Sequence, residues 1–190
     1  MNRDVKTTNV LIDGEWRAKL CDFSFVCHAD CTVKRAYVYG TDEFMSPEIA
    51  TGEDFDVSAD IFSFGILLVE VITSREPSQH FLHREAKKLF ALDADELRAA
   101  MPSDCPESFE ALVLQCCSLE PAERPTAQDC ADWLQASNGP TRSSELPYLL
   151  IFLPSINVVG WVTVVIRFRP VHRPAGHSTR TLQRSRVTFS

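Results

Sequence analysis

Near its start the chain reads Arg3-Asp4-Val5-Lys6-Thr7-Thr8-Asn9, and Asp22-Phe23-Ser24 follows 18 positions after Asp4. A carboxylate can take a proton from a hydroxyl, carboxylate and amide oxygens suit a hard divalent cation, and a lysine ammonium is a compact point charge. Taken singly, Asp4, Lys6, Asn9 and Asp22 are also what a solvated loop or a turn uses. Three further phrases follow in order: Gly40-Thr41-Asp42-Glu43-Phe44-Met45-Ser46-Pro47-Glu48, then Asp60-Ile61-Phe62-Ser63-Phe64-Gly65, then Pro121-Ala122-Glu123-Arg124-Pro125. Five phrases in a fixed order carry a weight that none has alone.

The elements that must hold these residues are legible around them. Val10-Leu11-Ile12 and Ala18-Lys19-Leu20 flank Asp13-Gly14-Glu15, which predicts a hairpin with Asn9 at its entrance and Asp22 just past its exit. Val26 to Glu48 is polar and loop-like. Ser58 to Thr73 is apolar on every helical face, so a buried central helix is expected there. Glu85 to Met101 is amphipathic and reads as two short helices around Asp93. Phe109, Leu112, Val113, Cys116 and Cys117 form one apolar helical stripe. Thr126-Ala127-Gln128-Asp129 is a capping-box start for a helix running to about Ala136, and Ser137-Asn138-Gly139-Pro140 stops it. A domain boundary is placed there, between residues 1–137 and a tail of residues 138–190.

Composition bounds the function class. Hydrophobic residues at 45% and charged residues at 24% exclude wholesale disorder, collagen and coiled-coil arrays. A net charge of −7 argues against nucleic acid as a partner. The charge is uneven: residues 141–190 hold seven arginines and a single acid, Glu145. Seven cysteines, an odd number set mostly in apolar stretches, read as reduced thiols of an intracellular protein. Cys27-His28 and Cys31 have no second ligand pair at zinc-finger spacing, so a zinc site is not expected. No apolar run follows Met1-Asn2-Arg3-Asp4, so no signal peptide is expected.

The order and spacing of the five phrases resemble the C-terminal lobe of a eukaryotic protein kinase, over roughly Asn2 to Ala136. The resemblance implies a mainly α (α+β) fold: a helical lobe with a short catalytic-loop hairpin and a buried central helix, plus a tail outside the pattern. It implies ATP-dependent phosphoryl transfer to protein Ser/Thr, with ATP and Mg²⁺ as cofactors and a protein as substrate. By this resemblance Asp4 accepts the substrate hydroxyl proton, Lys6 sits against the transferring phosphate, and Asn9 and Asp22 hold Mg²⁺. Cys21, just before Asp22, would line the nucleotide pocket. Arg3 matches the arginine that pairs with a loop phosphate. Glu48 would form a buried ion pair with Arg124, and Asp60 would hydrogen-bond the backbone around Asn2-Arg3. Lys6-Thr7-Thr8 and Thr41 are similar to the serine/threonine pattern, and the phrase from Gly40 to Glu48 to the tyrosine-kinase-like group. Thr32, Tyr37, Tyr39 and Thr41 are phosphorylation candidates; Thr32 is the regulatory choice, and Thr41 reads as a structural hydrogen-bonder.

Some positions depart from the family pattern. Asn2 stands where the family has histidine, which would weaken packing beneath Phe23. Ser24 replaces a glycine, which would stiffen the loop. Ser46 replaces an alanine. The Gly-rich loop, the strand-borne lysine, its glutamate partner and the adenine-gripping hinge do not precede Arg3. A truncated gene model is the simplest expectation, with a polypeptide weakly active or inactive alone; the alternative is a non-catalytic, pseudokinase-like interaction module.

The tail carries an uncharged run from Tyr148 to Ile166, 19 residues long, followed by Arg167 and Arg169. That length suits a bilayer crossing, but the valines suit strands, and Pro154, Ser155, Asn157 and Gly160 interrupt the run. Translated non-coding sequence, a membrane span, and a peripheral strand or helix all fit. The Arg/Pro/Ser/Thr-rich end after Arg169 is expected to be disordered. The expected location is cytoplasmic, with membrane association through 148–166 as the alternative.

Overall fold

The computed structural model describes residues 1–13, 17–28, 39–78, 80–137, 148–154 and 161–167. After a short 3-10 turn at Thr7–Asn9, strands β1 (Val10–Ile12) and β2 (Arg17–Leu20) pair antiparallel, with Val10 opposite Leu20 and Ile12 opposite Ala18. The Cys21 amide donates to the Asn9 carbonyl at 2.8 Å, closing the open end of this hairpin. Asn9 and Asp22 thus lie at adjacent strand ends.

Helix α1 (Pro47–Thr51) begins with a proline in its first turn and ends at Gly52, whose φ of +77° is the left-handed cap glycine supplies cheaply. Helix α2 (Ser58–Thr73) is the centre of the fold, with Phe62, Phe64, Ile66, Leu67, Leu68 and Val69 all buried. Its apolar residues cover every face because other elements surround it. Glu85 to Met101 forms a 3-10 turn at Ala86–Lys88 and one α-helix, α3 (Ala94–Ala100). Asp93 caps α3 by accepting from the Asp95 and Glu96 amides.

Helix α4 (Glu107–Cys116) turns Phe109, Leu112, Val113 and Cys116 onto α2. The two helices approach closely at Gly65, where a Cβ would lie 2.5 Å from Cys117 Sγ and 2.8 Å from Cys116 Cβ. Helix α5 (Ala127–Ser137) opens with a reciprocal cap: the Thr126 amide donates to Asp129 Oδ2 at 2.9 Å, and the Asp129 amide to Thr126 Oγ1 at 3.1 Å.

The tail contributes two strands, β3 (Tyr148–Pro154) and β4 (Trp161–Arg167). β3 runs parallel to β2 and antiparallel to β4, giving a four-stranded sheet in the order β1-β2-β3-β4, with α5 packed on β4. The run from Tyr148 to Ile166 is therefore divided between two strands, and no helix among the described residues is long and apolar enough to cross a membrane. Its valines and the proline at the end of β3 account for the choice. The segment after Arg169 lies outside the described residues.

Candidate active site

The residues between Asn2 and Asn9 hang on α2. Asp60, in the first turn of that helix, accepts the Asn2 amide at 2.6 Å and the Arg3 amide at 2.8 Å. Burial raises the Asp60 carboxyl above its ordinary range, and the two amides pull it part of the way back. Backbone strain marks this loop and the one after β2: Arg3 sits at φ +70° and Asp22 at φ +59°, left-handed conformations that cost a non-glycine residue about 1–2 kcal/mol each. Gly40 closes over the same loop. Its φ is +129°, and a Cβ there would stand 2.7 Å from the Arg3 carbonyl oxygen.

Asp4 is buried, and its carboxylate is the hub of the site. Oδ2 accepts the Asn9 amide nitrogen at 2.8 Å and meets the Lys6 ammonium at 2.9 Å; Oδ1 accepts the Thr41 hydroxyl at 2.8 Å. Lys6 also donates to Thr41 Oγ1 at 2.7 Å, so the lysine, the threonine and the carboxylate form a closed triangle. A carboxylate offers about four acceptor positions. Three are filled by described residues, and among these the fourth position faces no donor, open to an outside hydroxyl.

Asp22 stands across from this hub, exposed at the end of β2. Both the hydroxyl (2.6 Å) and the amide (3.1 Å) of Ser24 donate to its Oδ1, and these bonds, hydroxyl first, hold the carboxyl below its usual range. Asn2 bridges the two loops: its Oδ1 accepts the Asp4 amide at 3.0 Å, and its Nδ2 donates to the Asp22 carbonyl at 3.4 Å. Phe23 is half exposed.

The donor set suits a hard divalent cation. The Asn9 amide nitrogen is spent on the Asp4 side chain and carbonyl, which turns its oxygen away from Asp4, and Ser24 occupies only one oxygen of Asp22. One amide and one carboxylate oxygen, near a lysine, fit an ion that keeps several waters and takes few protein ligands. Among the described residues no group of three His, Cys, Asp or Glu side chains is placed to bind a metal.

The remaining sequence candidates fall around this centre. Arg3 donates from Nε to the Phe25 carbonyl at 2.6 Å and lies 5.2 Å from the Tyr39 ring, which stacks on Phe25. Cys21 is a partly buried free thiol. Thr32 and Tyr37 lie outside the described residues, as does Cys31. Glu48 and Arg124 make a buried two-pronged pair at 2.6 and 2.7 Å, and Arg124 also donates to the carbonyls of Ser58, Ser118 and Leu119. The pair binds the end of the Gly40–Glu48 loop to the α4–α5 connection.

Sequence reasoning missed the bridging role of Asn2, the cap that Ser24 places on Asp22, and Arg84. Asn2 and Ser24 were noticed only as departures from a pattern. Arg84 gave no signal, being one cation in a loop of mixed charge. Burial pushes its guanidinium down to about 10, with Glu43 and Glu48 among the charges pulling the other way; it remains cationic at neutral pH.

The family model described as "Protein kinase domain" matches residues 1–134. A probable serine/threonine-protein kinase of Dictyostelium discoideum, kinX, is 41% identical over 138 residues, covering 71% of this chain and 12% of that protein. A second probable serine/threonine-protein kinase of that organism is 38% identical over 137 residues, covering 70% of the chain and 31% of the relative. The dual specificity protein kinase shkC of the same organism is 35% identical over 133 residues, covering 68% of the chain and 26% of that protein. The chain thus spans less than a third of the length of each of these relatives. With the matched span running from the Asp4 loop through the α4–α5 connection to α5, the chain belongs to the protein kinase domain family.

Proposed function

We propose that this chain is the helical, C-terminal lobe of a serine/threonine protein kinase of the tyrosine-kinase-like group, which transfers the γ-phosphate of ATP to a protein hydroxyl, and that these 190 residues are weakly active or inactive alone. The observation that carries the reading is the Asp4 carboxylate, buried, held by Lys6, Asn9 and Thr41, and left by the described residues with one open acceptor position. Asp4 takes the proton of the acceptor hydroxyl there. Lys6 leaves its contact with Asp4 or shares it with the incoming phosphate. Asn9 and Asp22 would hold Mg²⁺, which when bound neutralises phosphate charge. Arg3, Glu48, Asp60 and Arg124 keep the loop in place, and Cys21 lines the nucleotide side.

The tyrosine-kinase-like assignment rests on the phrase from Gly40 to Glu48, and the Ser/Thr preference on Lys6, Thr41 and the names of the relatives. The six described cysteines are free thiols, which supports a reducing, cytoplasmic setting. The acidic charge speaks against nucleic acid.

The test is transfer of labelled γ-phosphate to a peptide library by the product of the complete gene, followed by phosphoamino-acid analysis. Phosphoserine and phosphothreonine are expected, with loss of transfer in Asp4→Asn. Phosphotyrosine would move the chain toward the dual-specificity relative. No transfer at any peptide or ATP concentration would leave the non-catalytic, pseudokinase-like interaction module.

A further inference from the structure

Arg84 lies between α2 and α3, far in sequence from the loop it touches. Its Nη2 donates to the Asp42 carbonyl at 3.0 Å and the Glu43 carbonyl at 3.1 Å, and its Nη1 to the Phe90 carbonyl at 3.2 Å. Its guanidinium lies 4.8 Å from the Phe62 ring on α2. Among the described residues no carboxylate forms an ion pair with it; three main-chain carbonyls and a ring face are its direct contacts, with Glu43 and Glu48 acting at longer range. Arg84 is partly buried, so these contacts replace part of the water its guanidinium gives up.

The two carbonyls belong to the turn that starts at Thr41. The amides of Phe44 and Met45 donate to the Thr41 carbonyl at 2.9 and 3.0 Å, while the Thr41 hydroxyl reaches Lys6 and Asp4. A cavity of about 370 Å³ opens beside the turn, with Asp42, Glu43, Leu82, Arg84 and Phe90 among its walls.

We propose that Arg84 is a positioning residue that clamps the Thr41–Met45 turn through its carbonyls, and so holds the Thr41 hydroxyl on Asp4 and fixes one wall of the adjoining cavity. The planar fork of an arginine suits this: it reaches two carbonyls on one side and a third on the other. Its relevance to catalysis rests on the reading of Asp4, Lys6 and Thr41 given above; the clamp itself does not need nucleotide or substrate to be tested.

The experiment is amide hydrogen exchange on the full chain, comparing wild type with Arg84→Gln, Arg84→Lys and, as control, Arg75→Gln. Arg75 packs on the Phe81 ring at 3.9 Å. In Arg84→Gln the Phe44 and Met45 amides should exchange roughly tenfold faster or more, while Ile66 to Val69 in α2 hold their rates. Arg84→Lys should recover part of the protection, and Arg75→Gln should leave the turn as it is. Wild-type rates at Phe44 and Met45 in Arg84→Gln, or equal loosening of α2, overturn the proposal. If Arg84→Gln does not fold, Arg84→Lys decides: rates between wild type and full exposure support the clamp, and wild-type rates overturn it. In the complete gene product, Arg84→Gln should raise the acceptor-peptide KM about tenfold and leave the ATP KM unchanged; an unchanged acceptor KM overturns the positioning role. Absence of transfer in the wild-type product would count against the proposed function, with the exchange result still deciding the clamp.

Discussion

Asp4 illustrates how much of a site can rest on one carboxylate. Lys6 and Asn9 donate to it from its own loop, and Thr41 from the Gly40–Glu48 loop. An amide in its place cannot accept all three. Asp4→Asn is therefore expected to lower kcat of the complete gene product by about 10²–10⁴ with little change in ATP KM, as loss of a general base does. Steady-state kinetics check this. Glu48 and Arg124 show the same economy in a structural pair. Glu48→Gln leaves a buried guanidinium half answered, a loss of about 3–5 kcal/mol that a urea unfolding curve would report. The residue types at these positions were legible because family motifs name them. Arg84 and Asn2 were not, because a main-chain carbonyl acceptor leaves no mark in a sequence. The sequence suggested that Asn2 loosens the packing under Phe23; Phe23 is half exposed, and the Asn2 amide joins the Asp4 and Asp22 loops.

At the scale of elements, α2 was the clearest reading, since apolar residues on every face leave only a central helix to build. The hairpin, the α4 stripe and the Thr126–Asp129 cap were equally plain, each being a local rule of spacing. Glu85 to Met101 was harder: its first part closes as a single 3-10 turn, too short for periodicity to distinguish from a helix. Two predictions belong here. Gly65→Ala pushes a methyl into Cys116 and Cys117, and overpacking of this kind costs about 1–3 kcal/mol, measurable as a lowered Tm. The second concerns the cap of α5. The Thr126 hydroxyl, then its amide, hold the Asp129 carboxyl below the usual carboxylate range. A depressed carboxyl stabilises the fold at pH above its unfolded value, and that contribution disappears as pH falls through the lower, folded one. The Tm difference between wild type and Asp129→Asn should therefore be full near neutral pH and shrink below about pH 4.

For the molecule as a whole, the acidic helical lobe and the basic tail differ in kind, and the tail was the least legible part. Nineteen uncharged residues satisfied the length of a membrane helix and the composition of strands equally; pairing with β2 decides for strands, and pairing partners are not written in a local pattern. The same scale governs nucleotide binding. Asp22 and Phe23 are exposed, and Leu11 is 59% exposed, so a polypeptide of these 190 residues offers nucleotide an open face. Calorimetry on it should find Mg–ATP binding no tighter than about millimolar, near −4 kcal/mol. A micromolar value would mean that these residues close a pocket by themselves.

The most direct measurement is a Mn²⁺ titration of this polypeptide followed by NMR, with Mn²⁺ as a paramagnetic stand-in for Mg²⁺. If Asn9 and Asp22 hold the cation beside Asp4, the Asn9 side-chain amide and the backbone amides from Asp22 to Ser24 broaden first, and Asp22→Asn abolishes the effect. Broadening that begins at surface carboxylates such as Glu53 or Glu120, with Asn9 and Asp22 still sharp, would contradict the account.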